Sequence, residues 1–239
     1  MIFNVTKADL PPLPPSDIDS IVTTTDGSSI SPPPYNPSSP TISNPIPATN
    51  CLDISRCKNI TGSWRIDTSL RVPSLNDAND TDERGNVNLL GRFGDINAEV
   101  ELVGDATSSR AVLRATATRG SITFKLISPR RQTAKIECAS RSGSITVFLP
   151  PSFRGPITIG GVTRSLIFSP GIQSKLMTFS ERDDQSSHFL GDYPQGGIGP
   201  DEKWEGDELS LTTGFGKIRL YYLGETIEPP KKSKRRFGR

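Results

Sequence analysis

The side chains with the most specific chemistry are the one histidine, His188, and the three cysteines, Cys51, Cys57 and Cys138. Together they make the arithmetic of a Cys3His zinc site, but zinc ligands usually come in close pairs two to four residues apart. Here the gaps are long, and Cys138 alternates with Ile136 in "AKIECAS" as a core-facing strand residue does. A buried free thiol is the expected role, and no metal or cofactor is expected. His188 has no Gly-x-Ser-x-Gly elbow with which to complete a triad. "GFGKIR" has Arg219 where the third glycine of a dinucleotide loop stands. Asp80-x-Asp82-x-x-Gly85 has the first half of a calcium loop, but Arg84 occupies a ligand position and Gly91 replaces the bidentate glutamate. No catalytic residue is named, and the reading is non-enzymatic. A pair of carboxylates from different strands, cleaving polysaccharide on a β-helix scaffold, is the enzymatic alternative.

Recognition chemistry is better represented. Pro32, Pro33, Pro34 and Tyr35 satisfy the order Pro-Pro-x-Tyr, which WW-domain grooves accept because an extended proline helix loses little entropy on binding. The expected partner is therefore a WW-domain protein. "LPPLPP" at residues 10–15 is a second, looser proline ligand. At the other end Lys231, Lys232, Lys234, Arg235, Arg236 and Arg239 form a basic tail, which reads as a nuclear-localisation or anionic-surface patch or as a solvated terminus. The formal net charge is only +2 and aromatic content is 7%. Nucleic-acid binding by the folded part is therefore not expected.

These residues sit on three segments. Eleven of the 21 prolines lie within residues 11–47, among Ser, Thr and Asn, where too little apolar surface exists to offset the entropy of ordering. Residues 1–48 read as a disordered proline-rich tail, 49–227 as a β-rich domain, and 228–239 as a basic disordered tail. Within the domain, residues 181–207 form a long irregular loop, in which Phe189, Tyr193 and Trp204 offer a partner surface or pin the loop to the domain.

From residue 59 onward the apolar residues alternate with period two and no helical period appears, so the fold class is all-β. Expected strands are 62–67, 86–90, 95–102, 110–117, 121–127, 133–139, 144–149, 157–159, 165–168, 209–213 and 217–223. "RFGDINAEVEL", "TRGSITFKLIS", "RSGSITVFLPP" and "GFGKIRLYYLG" repeat one phrase, in which Gly94, Gly120, Gly143 and Gly216 precede Ile96, Ile122, Ile145 and Ile218 by two residues. A turn with positive φ explains a glycine at that point. The intervals are 26, 23 and 73 residues, the last close to three further units. A β-solenoid with one rung per unit uses this pattern. The alternative is a β-sandwich, in which Gly120 sits in a hairpin joining 110–117 to 121–127.

The repeated Gly-x-Ile-x-[Phe/Val]-x-Leu phrase resembles the putative-adhesin, or head-GIN-like, β-solenoid domains. The whole layout, from the proline-rich front to "DEKWEGDELSLTTGFGKIRLYYLGE", is similar to a family of uncharacterised fungal proteins. The resemblance covers about residues 50–224 and implies a fold rather than an activity. The expected function is an interaction or scaffold protein with a WW-binding arm, its domain's ligand unnamed. A secreted or wall-associated adhesin-like module is the alternative, favoured by sequons at Asn4, Asn59 and Asn79. No run approaches the ~18 apolar residues of a membrane span, and "MIFNVTKADLPPLPP" lacks the basic and apolar regions of a signal segment. The expected location is intracellular, cytoplasmic or nuclear, with which an odd number of cysteines agrees.

Overall fold

Fifteen short strands and one helical turn account for the regular structure of the computed structural model, which describes residues 46–70, 85–105, 107–194 and 204–225. The chain is all-β, arranged as two sheets that do not close into a barrel. Strands alternate between the sheets. Sheet I receives β1 (Ala48–Thr49), β3 (Ile60–Ile66), β5 (Ile96–Leu102), β7 (Ile122–Ile127) and β9 (Ile145–Leu149), while sheet II receives β2 (Leu52–Arg56), β4 (Val87–Gly91), β6 (Ala111–Ala117) and β8 (Ala134–Ser140). The chain continues with β10 (Gly155–Gly160) in sheet II and β11 (Thr163–Phe168) in sheet I. After the helical turn α1 (Pro170–Gln173), β12 (Leu176–Glu181), β13 (Gln185–Leu190) and β14 (Glu208–Thr213) join sheet II, and β15 (Gly216–Tyr222) joins sheet I.

Among the described strands almost every pairing is parallel; only β13 runs antiparallel, against both β10 and β12. Register is kept from strand to strand. Ile60, Ile96, Ile122, Ile145 and Ile218 occupy one inward column of sheet I, which Leu166 of β11 extends. Sheet II answers with Leu52, Val87, Leu113, Ile136, Leu209 and Ile157. Both columns feed one continuous core, and fully burying each such side chain is worth roughly 1.5–3 kcal/mol. The outward residues of the same strands are mostly Thr, Asn, Glu, Lys and Arg, as period-two alternation requires, with Val112 and the stacked rings of Phe148 and Tyr221 as apolar exceptions. The stack thus has the in-register parallel strands expected of a solenoid and the two facing sheets expected of a sandwich.

Strand order departs from chain order at the edge of sheet II, where β13 lies between β10 and β12, and at one interior rung. The pair β14 and β15 lies between the rung of β8 and β9 and the rung of β10 and β11, in both sheets. The 73-residue interval therefore does not hold three further rungs between Gly143 and Gly216. The chain leaves the stack one rung early, builds β10 to β13, and returns to fill the gap.

The repeated glycines have a different cause from the one expected. Of the four, only Gly120 has positive φ, at 147°. A β-carbon on Gly120 would strike the carbonyl of Gly94, one on Gly143 the carbonyl of Gly120, and one on Gly216 the carbonyl of Gly143. Successive corners pack backbone on backbone, and only glycine permits the approach. Nor does Gly120 close a hairpin, because β6 and β7 belong to different sheets.

Other boundaries shift. Pairing of Ala48 with Arg65, and the Arg65 Nη1 hydrogen bond to the Ile46 carbonyl, extend the domain into the segment read as tail. The stretch 181–207 is not irregular throughout: it begins at the end of β12 and contains β13. "QSSHFL" shows no apolar alternation because its inward positions are Ser186 and His188, buried with polar partners.

Candidate functional site

The hairpin of β12 and β13 forms the edge of sheet II, and its two faces carry different chemistry. On the outer face Phe189 is fully buried. It pairs across strands with Pro156 and Met177, and two rings stand edge-on against it, Tyr193 at 5.1 Å and Trp204 at 5.4 Å between centroids. Phe179 continues the row, 5.1 Å from Tyr193. Tyr193 and Trp204 are the two described ends of the β13–β14 connection, so Phe189 pins both. The ledge remains partly open: Met177 is 46% and Phe179 52% exposed.

Polar bonds fix Trp204 from below. Its indole Nε1 donates to the Asp207 carbonyl at 2.7 Å, and its own carbonyl accepts from Arg110 Nη1 at 3.2 Å. Arg110 Nη2 reaches Glu208 Oε2 at 2.6 Å. Asp207 then joins the rungs on either side of β14, its Oδ1 accepting from the Ala134 N–H at 2.9 Å and its Oδ2 from the Arg154 N–H at 3.1 Å. Burial raises the Asp207 pKa, against the lowering effect of these two backbone bonds and of Arg110. Gly155 is notched against the Asp207 carbonyl, where a β-carbon has no room.

The inner face of the hairpin ends the core. Ser186 and His188 extend two apolar columns of sheet II, opposite Ile159 and Ile157. His188 Nε2 lies 2.9 Å from Ser186 Oγ and Nδ1 lies 3.0 Å from Thr178 Oγ1, while Phe168 presents an edge at 5.5 Å. Burial lowers the His188 pKa, and Glu181 opposes the shift. A neutral imidazole that donates to Thr178 accepts the Ser186 proton. That is the geometry of a nucleophile and base with a threonine in place of the orienting carboxylate. Ser186 borders a cleft of about 150 Å³ lined also by Gly161, Thr163, Glu181 and Asp183.

Carboxylates on the outer sheet faces carry ion pairs. Glu101 meets Arg65 at 3.0 Å, Glu99 meets Lys125 at 3.7 Å, and Glu137 lies between Arg114 at 2.9 Å and Lys135 at 3.1 Å. Burial acts upward on the Glu137 pKa, but hydrogen bonds from Arg114 and Lys135 outweigh it and the net shift is downward.

Of the residues singled out in the sequence, Phe189, Tyr193 and Trp204 come together. Cys51, Cys57 and Cys138 are free thiols, respectively half-buried, exposed and buried, and burial pushes the Cys138 pKa up to about 12. Among the described residues no group of three or more His, Cys, Asp or Glu side chains could hold a metal ion. Pro32, Pro33, Pro34 and Tyr35, the basic residues Lys231 to Arg239, and Asp80 and Asp82 lie outside the described residues. Sequence reasoning missed Met177, Phe179, Ser186, Thr178 and the Asp207 bridge. Ser186 and His188 had a visible signal, since residues two apart on a strand share a face.

No curated protein and no solved structure matches the chain. A family model described as "Domain of unknown function (DUF7330)" matches residues 50–225, a span that takes in β2 through β15 and the ledge and leaves out only β1 of the described strands. The chain belongs to the DUF7330 family.

Proposed function

We propose that the protein is a non-enzymatic interaction or scaffold protein, a rigid β stack that presents the Met177, Phe179, Tyr193 and Trp204 ledge as a contact surface. The observation that carries this reading is the exposure of Met177 and Phe179 on an edge strand beside two further rings. Met and aromatic side chains are enriched where proteins meet. Ion pairing of Glu99, Glu101, Glu137 and Glu208 supports structural rather than catalytic roles for those carboxylates.

The arm supplies the named partner class. Pro32, Pro33, Pro34 and Tyr35 dock a WW domain in an extended proline helix, with Tyr35 as the anchor. An immobilised WW domain should retain the full chain and lose it on Tyr35→Ala; undiminished capture of that variant overturns the assignment. The proposed location is intracellular, and the basic residues Lys231 to Arg239 serve there as a contact for anionic surfaces. Among the described residues no helix is long and apolar enough to cross a membrane.

A second reading, a secreted or wall-associated adhesin-like module, is favoured by Asn59. This sequon residue is exposed at a corner, and its Oδ1 accepts the Asp95 N–H at 3.0 Å. That bond leaves the amide nitrogen for a glycan. A mobility shift of protein from its native source on deglycosylation supports this reading, and an unchanged mobility removes it.

A further inference from the structure

The rung formed by β14 and β15 is the last among the described residues but interior in the stack. Its removal would expose four strand edges at once, those of β8 and β10 in sheet II and of β9 and β11 in sheet I. Each is a row of backbone donors and acceptors that templates another strand. The slot is also shaped for this rung. Gly143 meets Gly216 on one side, while Gly155 and Gly161 meet the carbonyls of Asp207 and Thr213 on the other. Asp207 bonds across both walls. Leu209, Leu211, Ile218 and Leu220 fill the core behind it.

None of these contacts depends on β14 and β15 belonging to the same molecule as the slot. What ties them to it is the connection from β13, whose two described ends, Tyr193 and Trp204, both pack on Phe189. We propose that β14–β15 is an exchangeable rung: the slot accepts Glu208–Tyr222 of a second copy of this chain, and the Tyr193–Phe189–Trp204 clamp, which must open for the rung to leave, slows the exchange. Exchange between identical chains builds a dimer from contacts that already exist in the monomer. It goes beyond the interaction reading above and stands independently of the WW motif.

Thr146 of β9 and Arg219 of β15 are register partners in sheet I. Two full-length single variants, Thr146→Cys and Arg219→Cys, each also carrying Cys51→Ser and Cys57→Ser, are mixed, unfolded, refolded together and oxidised. The expected product is a disulfide-linked dimer of one copy of each variant. Its ratio to monomer should rise about tenfold for a tenfold rise in free monomer, by mass action. Tyr193→Ala, which removes the ring contacts to Phe179 and Phe189, should speed conversion of remixed, purified folded monomers to the crosslinked dimer, by about two- to tenfold for each contact that opening must break. Absence of the mixed product at every concentration, while the double variant Thr146→Cys/Arg219→Cys closes its internal disulfide, overturns exchange. So does a noncovalent dimer population whose heterodimers carry no mixed crosslink. An unchanged rate with Tyr193→Ala overturns the clamp.

Discussion

Gly216 packs its α-carbon against the carbonyl oxygen of Gly143, although the same 73 residues separate them as separate the adjacent pair Ser144 and Lys217, whose Oγ and N–H lie 3.3 Å apart. The contact repeats the one that Gly143 makes with Gly120, and Gly120 with Gly94. A corner assembled from the C-terminal strand pair is thus equivalent to corners assembled from consecutive strands. The stack is indifferent to chain order as long as the glycine is present.

Gly216→Ala should therefore cost about 3 kcal/mol or more, since the new methyl group meets backbone, which cannot rotate away. Gly160→Ala is the control. Its β-carbon would find only Thr212 Oγ1 at 3.6 Å, an ordinary contact, and its effect should stay within about 1 kcal/mol. Urea denaturation of the two variants measures the difference.

Asp207→Asn replaces one carboxylate oxygen by a donor that faces a backbone N–H. With the Ala134 N–H part-buried and the Arg154 N–H exposed, one backbone donor loses its acceptor, at about 1–2 kcal/mol. Asp105→Asn, which weakens an exposed pair with Arg130 at 3.3 Å, should change stability by less than about 1 kcal/mol. Equal losses in the two variants would contradict the bridging role of Asp207.

His188 gives the end of the stack a pH dependence of definite sign. Burial holds its folded pKa below the ordinary value of 6.5, so in the window beneath 6.5 the unfolded chain binds more protons than the native one. Its contribution to stability is full above that window and is lost as pH falls from 6.5 toward the folded pKa. Groups facing the imidazole are Thr178, Ser186 and Phe168, with Glu181 as the opposing charge. Thermal melts across pH 5 to 7.5 should show His188→Gln with a shallower acid decline than the parent chain, after subtraction of the shared carboxylate titration. Parallel curves would contradict this role.

Much of the architecture could be read from the residues. Period-two alternation placed β3 to β11, β14 and β15 within a few residues, and the Gly-x-Ile phrase identified the Ile column. Rung order could not be read, because Ile96, Ile122, Ile145 and Ile218 are interchangeable as neighbours. What distinguishes one order from another is a set of long-range corner bonds, such as Asp207 to Ala134 and Arg154. β12 and β13 were missed for a different reason: the inward positions of β13 include Ser186 and His188, whose burial depends on partners in space rather than on hydrophobicity, and β12 is exposed along most of its length. β2 did carry a signal, the alternation of Leu52 and Ile54. At the ledge the loop rings Phe189, Tyr193 and Trp204 were visible as aromatics. Phe179 and Met177 gave no signal, since an edge strand exposes apolar side chains without any pattern to mark them.

β15 lies between β9 and β11 in sheet I, and cysteine pairs across the sheet read out that placement. Arg219 has Thr146 as its neighbour on one side and Ile167 on the other. In full-length protein with Cys51 and Cys57 replaced by Ser, Thr146→Cys/Arg219→Cys should close an internal disulfide under mild oxidation, while Thr146→Cys/Ile167→Cys should remain open. Closure of the Thr146→Cys/Ile167→Cys pair, with Thr146→Cys/Arg219→Cys left open, would place β9 directly beside β11 and contradict the interleaved stack.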